Sequence, residues 1–352
     1  MPERFVVIPR GIEGSTASSV AAERPPAFAP GGPRPGRPPL RVPGPEFGAL
    51  GPYLADPDVT DLFLNGSDGL FVDRGAGSVR DPEWRAAERE VRELATALIA
   101  LGGRHIDEAA PCVDVRLEGG IRVHAVLPPV STSGTVVSVR VPSLAQPSLD
   151  ELERHGAFVP GMREWLVETV RARTNLLITG AAGTGKTTLL AALLAEAPAT
   201  ERIVTIEDVA ELRIRHPHHV ALEARQANLE GAGAIGLARL VREALRMRPD
   251  RLVVGECRGE EVRELLAALN TGHDGGAGTL HASGLGDVPA RLEALGALAG
   301  LDDRALARQV TSAIGLVLHL ERSPSGVRRL AHAGRFTLDD GRLTVEEVTL
   351  WS

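Results

Sequence analysis

One lysine stands among 39 basic side chains: Lys186, in the run Gly180-Ala181-Ala182-Gly183-Thr184-Gly185-Lys186-Thr187-Thr188. The run fits G-x-x-x-x-G-K-[ST], a phosphate cradle. Its glycine-rich turn aims backbone N–H groups at phosphate oxygens, its ammonium reaches the β- and γ-phosphates, and the following hydroxyl, here Thr187, can bind Mg²⁺. In a chain that otherwise uses arginine, the lysine marks a place where a planar guanidinium cannot replace a compact ammonium. Gly180, Ala182, Gly183, Thr184, Gly185, Lys186, Thr187 and Thr188 are therefore candidate nucleotide-binding residues, with a nucleotide and Mg²⁺ as the expected ligands.

Further chemistry lies downstream, always where a strand should end. Arg202-Ile-Val-Thr-Ile-Glu207-Asp208 is a β-branched run that delivers two carboxylates, with Glu211 following. Arg251-Leu-Val-Val-Gly-Glu256 is a second such run, and Gly278-Thr-Leu-His281 a third, with His273 upstream. In a parallel α/β sheet the C-terminal ends of the strands share one edge with the phosphate loop, so these groups can converge on a γ-phosphate. A carboxylate there can hold hydrated Mg²⁺ or orient the attacking water, and a histidine can hydrogen-bond the phosphate. Glu207 and Glu256 are rivals for the acid's role, as catalytic groups and as metal ligands, and the sequence does not rank them. His281 is the candidate phosphate sensor.

The elements that must position these residues are legible from periodicity. Asn175-Leu-Leu-Ile-Thr179 reads as a buried strand entering the glycine loop, and Lys186 to Ala197 as an apolar-faced helix leaving it, which puts phosphate at a helix N-terminus. Ahead of them, strands are expected at Val59–Leu64, Leu70–Val72, Val113–Leu117, Ile121–Val126 and Thr135–Val141, and a helix at Glu88–Leu101. Pro142 to Ser148 reads as a linker, followed by helical segments at about 149–155 and 162–173.

At 352 residues, 43% hydrophobic and 24% charged, the composition is that of a soluble globular chain of about two domains. Nine prolines and four glycines between Pro25 and Pro45 make residues 1–45 a leader that cannot build a core. The expected division is this leader, a small α+β domain over 46–141, a connection over 142–173 and a P-loop α/β domain over 174–352. A net charge of −7 gives no global pull toward nucleic acid or anionic lipid. Cys112 and Cys257 are too few and too far apart for a disulfide framework or a four-cysteine zinc module, so a reducing cytoplasm is the simplest setting. His216-Pro-His-His219 lacks matching ligands and reads as solvated rather than metal-binding. Residues 1–20 have no signal-peptide core, and no apolar run approaches the ~20 residues that span a bilayer, so any membrane role must pass through partners.

Taken together the motifs resemble those of the hexameric type II/type IV secretion ATPases, in particular the branch associated with tight-adherence (Flp) pili and conjugal transfer. Ile206-Glu-Asp-Val-Ala-Glu-Leu212 is similar to that family's aspartate box and Leu222-Glu-Ala-Arg225 to its arginine motif. Val254-Gly-Glu-Cys-Arg-Gly259 is similar to its Walker B, which carries glycine before the glutamate, and Asn270-Thr-Gly-His-Asp-Gly275 through Thr279-Leu-His-Ala282 to its histidine box. The likeness extends into the smaller domain through Arg104, Asp107-Glu108, Val113-Asp-Val-Arg116, Arg122-Val-His-Ala-Val-Leu-Pro-Pro129 and Ser138-Val-Arg140. Two departures stand out: Ala282-Ser283-Gly284, where members usually have Ala-Asn after the histidine, and the glycine-rich Gly275-Gly276-Ala277-Gly278.

The resemblance implies a RecA-like P-loop NTPase domain preceded by a smaller α+β N-terminal domain. It also implies a ring of six subunits binding ATP between the two domains, completed by a neighbour. Hydrolysis would power assembly of a pilus or secretion machine at the cytoplasmic face of the inner membrane, through a membrane platform protein. Arg104, Arg116, Arg122 and Arg140 become candidates for phosphate contacts from the mobile domain. The alternatives are a RecA-like motor that moves nucleic acid in conjugation, and a nucleotide-dependent scaffold without turnover.

Overall fold

The computed structural model describes residues 44–75, 77–142, 146–225, 233–323 and 326–348. The expected leader falls outside these residues except for its last two, and so does the middle of the expected linker. A short 3₁₀ segment leads into helix α1 (Gly51–Ala55), strands β1 (Asp61–Asn65), β2 (Leu70–Asp73) and β3 (Ser78–Arg80), helix α2 (Glu88–Leu101), and strands β4 (Cys112–Arg116), β5 (Arg122–Val126) and β6 (Val136–Arg140). All neighbouring pairs run antiparallel, in the order β3-β2-β1-β6-β5-β4. The strands alternate buried and exposed residues because α2 covers a single face. Val91, Ala95, Leu98 and Ile99 of α2 pack on Leu62, Leu64, Val123, Ala125, Val137 and Val139.

Helices α3 (Leu149–Arg154) and α4 (Met162–Arg171) lead into β7 (Leu176–Gly180), α5 (Lys186–Leu194), β8 (Ile203–Glu207), β9 (His219–Glu223), α6 (Leu237–Leu245), β10 (Arg251–Val254), α7 (Glu261–Leu269) and β11 (Ala277–His281). After them come α8 (Val288–Leu298), α9 (Asp303–Ala313), β12 (Leu316–Arg322), β13 (Arg328–Asp339) and β14 (Arg342–Glu347). The sheet order is β14-β13-β12-β7-β11-β10-β8-β9, parallel from β12 to β9 and antiparallel at the β12-β13-β14 edge. Its central strands are buried on both faces, so they read as continuous apolar runs. Successive residues still alternate between two cores. Leu177, Val204, Ile206, Leu252, Val254 and Leu280 join α6–α9, while Leu176, Ile178, Ile203, Val253 and Ala277 join α3–α5. This three-layer arrangement turns the C-terminal ends of β7, β11, β10 and β8 to one edge, in adjacent order.

Candidate functional site

Each expected chemical group sits where its strand stops. His281, the last residue of β11, lies opposite Gly180, the last of β7, and Val254 of β10 lies opposite Ile206 of β8. Gly180 has φ of +145°, and a Cβ there would come within 2.4 Å of the Leu320 carbonyl oxygen and 2.7 Å of Thr184 Oγ1. Only glycine lets the strand turn this tightly into the loop. Thr184 is buried and its hydroxyl donates to the Ala181 carbonyl at 2.9 Å, bracing the loop from inside. Ala182 and Gly183 lie exposed on its outer face, and Gly185 precedes α5, so the orphan N–H groups of that helix face the loop. Lys186, Thr187 and Thr188 form the first turn.

A chain of polar contacts runs outward from Lys186. Its Nζ donates to the carbonyls of Gly180 and Ala181 at 2.9 Å each and lies 3.2 Å from His281 Nδ1. His281 Nε2 is 3.0 Å from Glu256 Oε1, and Arg258 donates to Glu256 Oε2 at 2.6 Å. A neutral imidazole accepting at Nδ1 and donating at Nε2 satisfies both of its contacts. The electrostatics agree: burial, then the Lys186 charge, lowers the His281 pKa, against the pull of Glu256. Burial alone would raise Glu256, but the Arg258 hydrogen bond and charge, with His281 and Lys186, outweigh it and hold the carboxyl below its ordinary range. Burial also lowers Lys186, with Glu256 opposing. The edge thus presents an ionised carboxylate, a neutral imidazole and an ammonium in line.

Glu207 is placed differently. It is buried, its oxygens accept from the backbone N–H of Glu211 at 3.1 Å and of Leu212 at 3.0 and 3.2 Å, and burial pushes its pKa up to about 7. Its side chain lies over Gly255, where a Cβ would approach Glu207 Cγ to 2.4 Å. The glycine before Glu256 is thereby explained: it makes room for the acid of the neighbouring strand. Asp208 is more exposed and lies 4.0 Å from Arg258.

The four candidate arginines divide. The antiparallel register sets Arg116 of β4 opposite Arg122 of β5, and Arg122 opposite Arg140 of β6, so three guanidinium side chains form a row across three strands. Like charges directly opposite are unfavourable, and such a row calls for anions. Two carboxylates meet two of them: Arg116 pairs with Glu223 of β9 and also donates to the Ala210 carbonyl, and Arg122 pairs at 2.9 Å with Glu211 in the loop after β8. In return Arg213 donates to the Gly119 carbonyl at 2.8 Å. Arg140 is exposed and lies opposite Asp61 on its other side. Arg104 donates to the Asp114 carbonyl, away from this row.

Sequence reasoning took Arg258 only as part of a motif and did not single it out. Its place two residues after Glu256, in the segment that leaves β10, was the available signal. His273 is bonded to the Ala268 carbonyl at the end of α7, and Cys257 is fully packed, with burial pushing its thiol pKa up. His219 lies in β9 bonded to Thr205 Oγ1. Among the described residues no cluster of three or more His, Cys, Asp or Glu could hold a metal by itself. The donor set, Thr187 with Glu256 or Glu207 near a phosphate cradle, suits a Mg²⁺ whose remaining ligands come from nucleotide phosphates and water.

Comparison with known proteins gives concordant results. A family model described as type II/IV secretion system protein matches residues 47–346. A Mycobacterium tuberculosis (strain H37Rv) protein named for conjugal transfer is 49% identical over 310 residues, covering 86% of this chain and 88% of that protein. The conjugal transfer protein TrbB of Rhizobium radiobacter is 32% identical over 288 residues, covering 79% and 85%. Among solved structures, the pilus retraction motor PilT with bound ADP superposes with a TM-score of 0.57 at 20% identity, covering 86% of this chain and 82% of that one. The last likeness is one of fold: a RecA-like α/β domain behind a smaller α+β domain.

Proposed function

The chain belongs to the type II/IV secretion system protein family, and from that premise and the geometry of the site we propose that it is a Mg²⁺-dependent ATPase whose turnover powers assembly of a pilus or secretion machine. The observation that carries the reading is the convergence of Lys186, His281 and Glu256 beside a glycine loop at one sheet edge. In this reading the loop N–H groups from Gly183 to Thr187 and the Lys186 ammonium hold the β- and γ-phosphates. Water attacks the γ-phosphorus, its proton passes to the Glu256 carboxylate, and the bond to the bridging oxygen breaks to release ADP. Bound Mg²⁺, held by Thr187 and through water by an acid, would neutralise charge on the β- and γ-oxygens. His281 Nε2–H fixes the orientation of Glu256, and its Nδ1 reports the position of Lys186. We assign the water-handling role to Glu256 and a loop-anchoring role to Glu207, because Glu256 shares contacts with the lysine and Glu207 turns to backbone amides.

The division into a 46–141 domain, a 142–173 connection and a 174–352 ATPase domain belongs to the same reading. Separate cores support it, one drawn from Phe47 to Val141 and two from Leu149 to Leu343. The arginine row supplies what the mobile domain needs to feel the nucleotide, since loss of the γ-phosphate changes the anion it faces. The working form is a ring of six copies docked at the cytoplasmic membrane face through an inner-membrane platform protein. No helix among the described residues is long and apolar enough to cross a membrane.

A second reading of the cargo follows from the relatives named for conjugal transfer: the machine served moves DNA. The net charge of −7 argues that this chain would energise such a machine without gripping nucleic acid itself. Two experiments test these readings. Purified Lys186→Ala should lose ATP turnover and Lys186→Arg nearly so, while Glu256→Gln should bind nucleotide and hydrolyse it poorly. Near-wild-type hydrolysis by Lys186→Ala would overturn the site assignment. Deleting the gene and scoring surface pili, protein secretion and DNA transfer side by side separates the cargoes.

A further inference from the structure

We propose that Arg258 is a positioning residue for Glu256, fixing one carboxylate oxygen while His281 fixes the other. The proposal rests on the reading of Glu256 as the water-handling acid. Three consecutive residues after β10 carry the device. The Cys257 side chain is buried and its N–H donates to the Thr279 carbonyl at 2.8 Å, which anchors the segment to β11. Backbone N–H groups of Arg258 and Gly259 both donate to Oε1 of Glu261, itself 4% exposed in the first turn of α7. With its backbone held on both sides, Arg258 lays its guanidinium along the outer face of Glu256, Nη2 to Oε2 at 2.6 Å.

The two donors reach different oxygens, so the carboxylate plane cannot rotate without breaking one of them. Each oxygen keeps a free lone pair, which leaves an acceptor for water. A guanidinium suits this place because it stays charged and its planar fork keeps direction, where an ammonium would act as a point charge. The surroundings make the charge matter. Lys186 and His281 face Glu256 from the nucleotide side, while Asp208, just beyond the end of β8, and Glu261 of α7 add negative charge nearby. Without Arg258, the half-buried carboxylate would keep a side-chain donor on one oxygen alone and could turn out of place. Glu261, two bonds removed from the chemistry, serves by holding the backbone that carries Arg258.

The test measures kcat and KM of the full chain for wild type, Arg258→Gln, Arg258→Lys and Glu256→Gln, with melting temperature and nucleotide affinity as folding controls. The expected result for Arg258→Gln is a fall in kcat of about tenfold with KM nearly unchanged. Arg258→Lys, which keeps the charge and loses the fork, should recover part of kcat. An unchanged kcat, or a fall in kcat matched by a loss of nucleotide affinity or of melting temperature, would overturn the proposal, as would a lysine variant no better than the glutamine one. Wild-type turnover by Glu256→Gln would instead overturn the reading of Glu256, so the two failures are separable. Should Arg258→Gln fail to fold, the lysine variant decides alone: a lowered kcat with KM and melting temperature kept supports the proposal, and a wild-type kcat overturns it.

Discussion

Replacing Gly255 by alanine adds one methyl group at a crowded point of the sheet edge. That carbon would stand 2.4 Å from Glu207 Cγ, 2.9 Å from Oε1 and 3.0 Å from Cδ. Gly255 cannot retreat, because its N–H donates to the Ile206 carbonyl at 2.8 Å and its carbonyl accepts from Thr279 Oγ1 at 2.6 Å. Glu207 must therefore move, and in moving it releases the amides of Glu211 and Leu212. Overpacking costs about 1–3 kcal/mol. Leaving a buried N–H unpaired costs about 1–3 kcal/mol more. A total near 2–6 kcal/mol would lower the melting temperature by on the order of 5–15 °C for a body of this size. Differential scanning calorimetry of Gly255→Ala, Glu207→Ala and the double variant checks the mechanism, since the clash has no partner once Glu207 is truncated. In the Glu207→Ala background the alanine should cost less than about 1 kcal/mol, a coupling between sites in contact. An equal drop in both backgrounds, or a Gly255→Ala protein as stable as wild type, would refute the steric argument.

Glu207 also predicts a pH dependence. Its folded pKa, about 7, lies above the ordinary value of 4.5, so the native state holds a proton the unfolded chain has lost between those limits. Stability should fall as pH rises through about 7, by up to roughly 3 kcal/mol from this group. Urea titrations of wild type and Glu207→Gln across that range should show a slope in the first and a flatter line in the second. Arg140→Ala should lower turnover about a hundredfold if its guanidinium meets developing phosphate charge, with nucleotide affinity much less affected. Because Arg140, unlike Arg122 with Glu211, has no carboxylate paired with it among the described residues, we expect it to act on a neighbour's nucleotide. Mixed rings of Arg140→Ala and Lys186→Ala subunits should then recover part of the lost rate, and verified mixed rings without recovery would place Arg140 in cis.

What the sequence made legible was local. The glycine loop declares itself because a phosphate cradle is built by consecutive backbone groups, and α2 runs over the expected Glu88–Leu101 because its apolar stripe is continuous. The buried strands β7, β8 and β10 announce themselves as apolar runs. By contrast β9, at the edge of the larger sheet, is partly exposed along its length and opens on His219, so its residues look like a polar turn. Glu207 and Glu256 look alike as acids at strand ends. Only the direction of each side chain, one to amides across a loop and one to His281, separates them. Arg258 was hidden for the same reason, since its partner is defined by where two side chains meet.

The arginine row shows how far non-local pairing can carry a functional argument. Arg116, Arg122 and Arg140 are separate letters in the sequence, yet antiparallel register sets them side by side, a repulsive arrangement that the smaller sheet does not relieve by itself. Relief comes from Glu223 of β9 and from Glu211 in the loop after β8. Glu211 belongs to the loop whose amides Glu207 holds, and Glu207 rests on the glycine that precedes Glu256. Phosphate and carboxylate would thus compete for the same guanidinium groups, and the competing carboxylate is tied through one buried side chain, Glu207, to the segment that carries Glu256. A change at the γ-phosphate can reach the smaller domain by this route with no segment longer than a loop needing to refold, because ion pairs at a surface are worth only about 0–1 kcal/mol each and exchange easily.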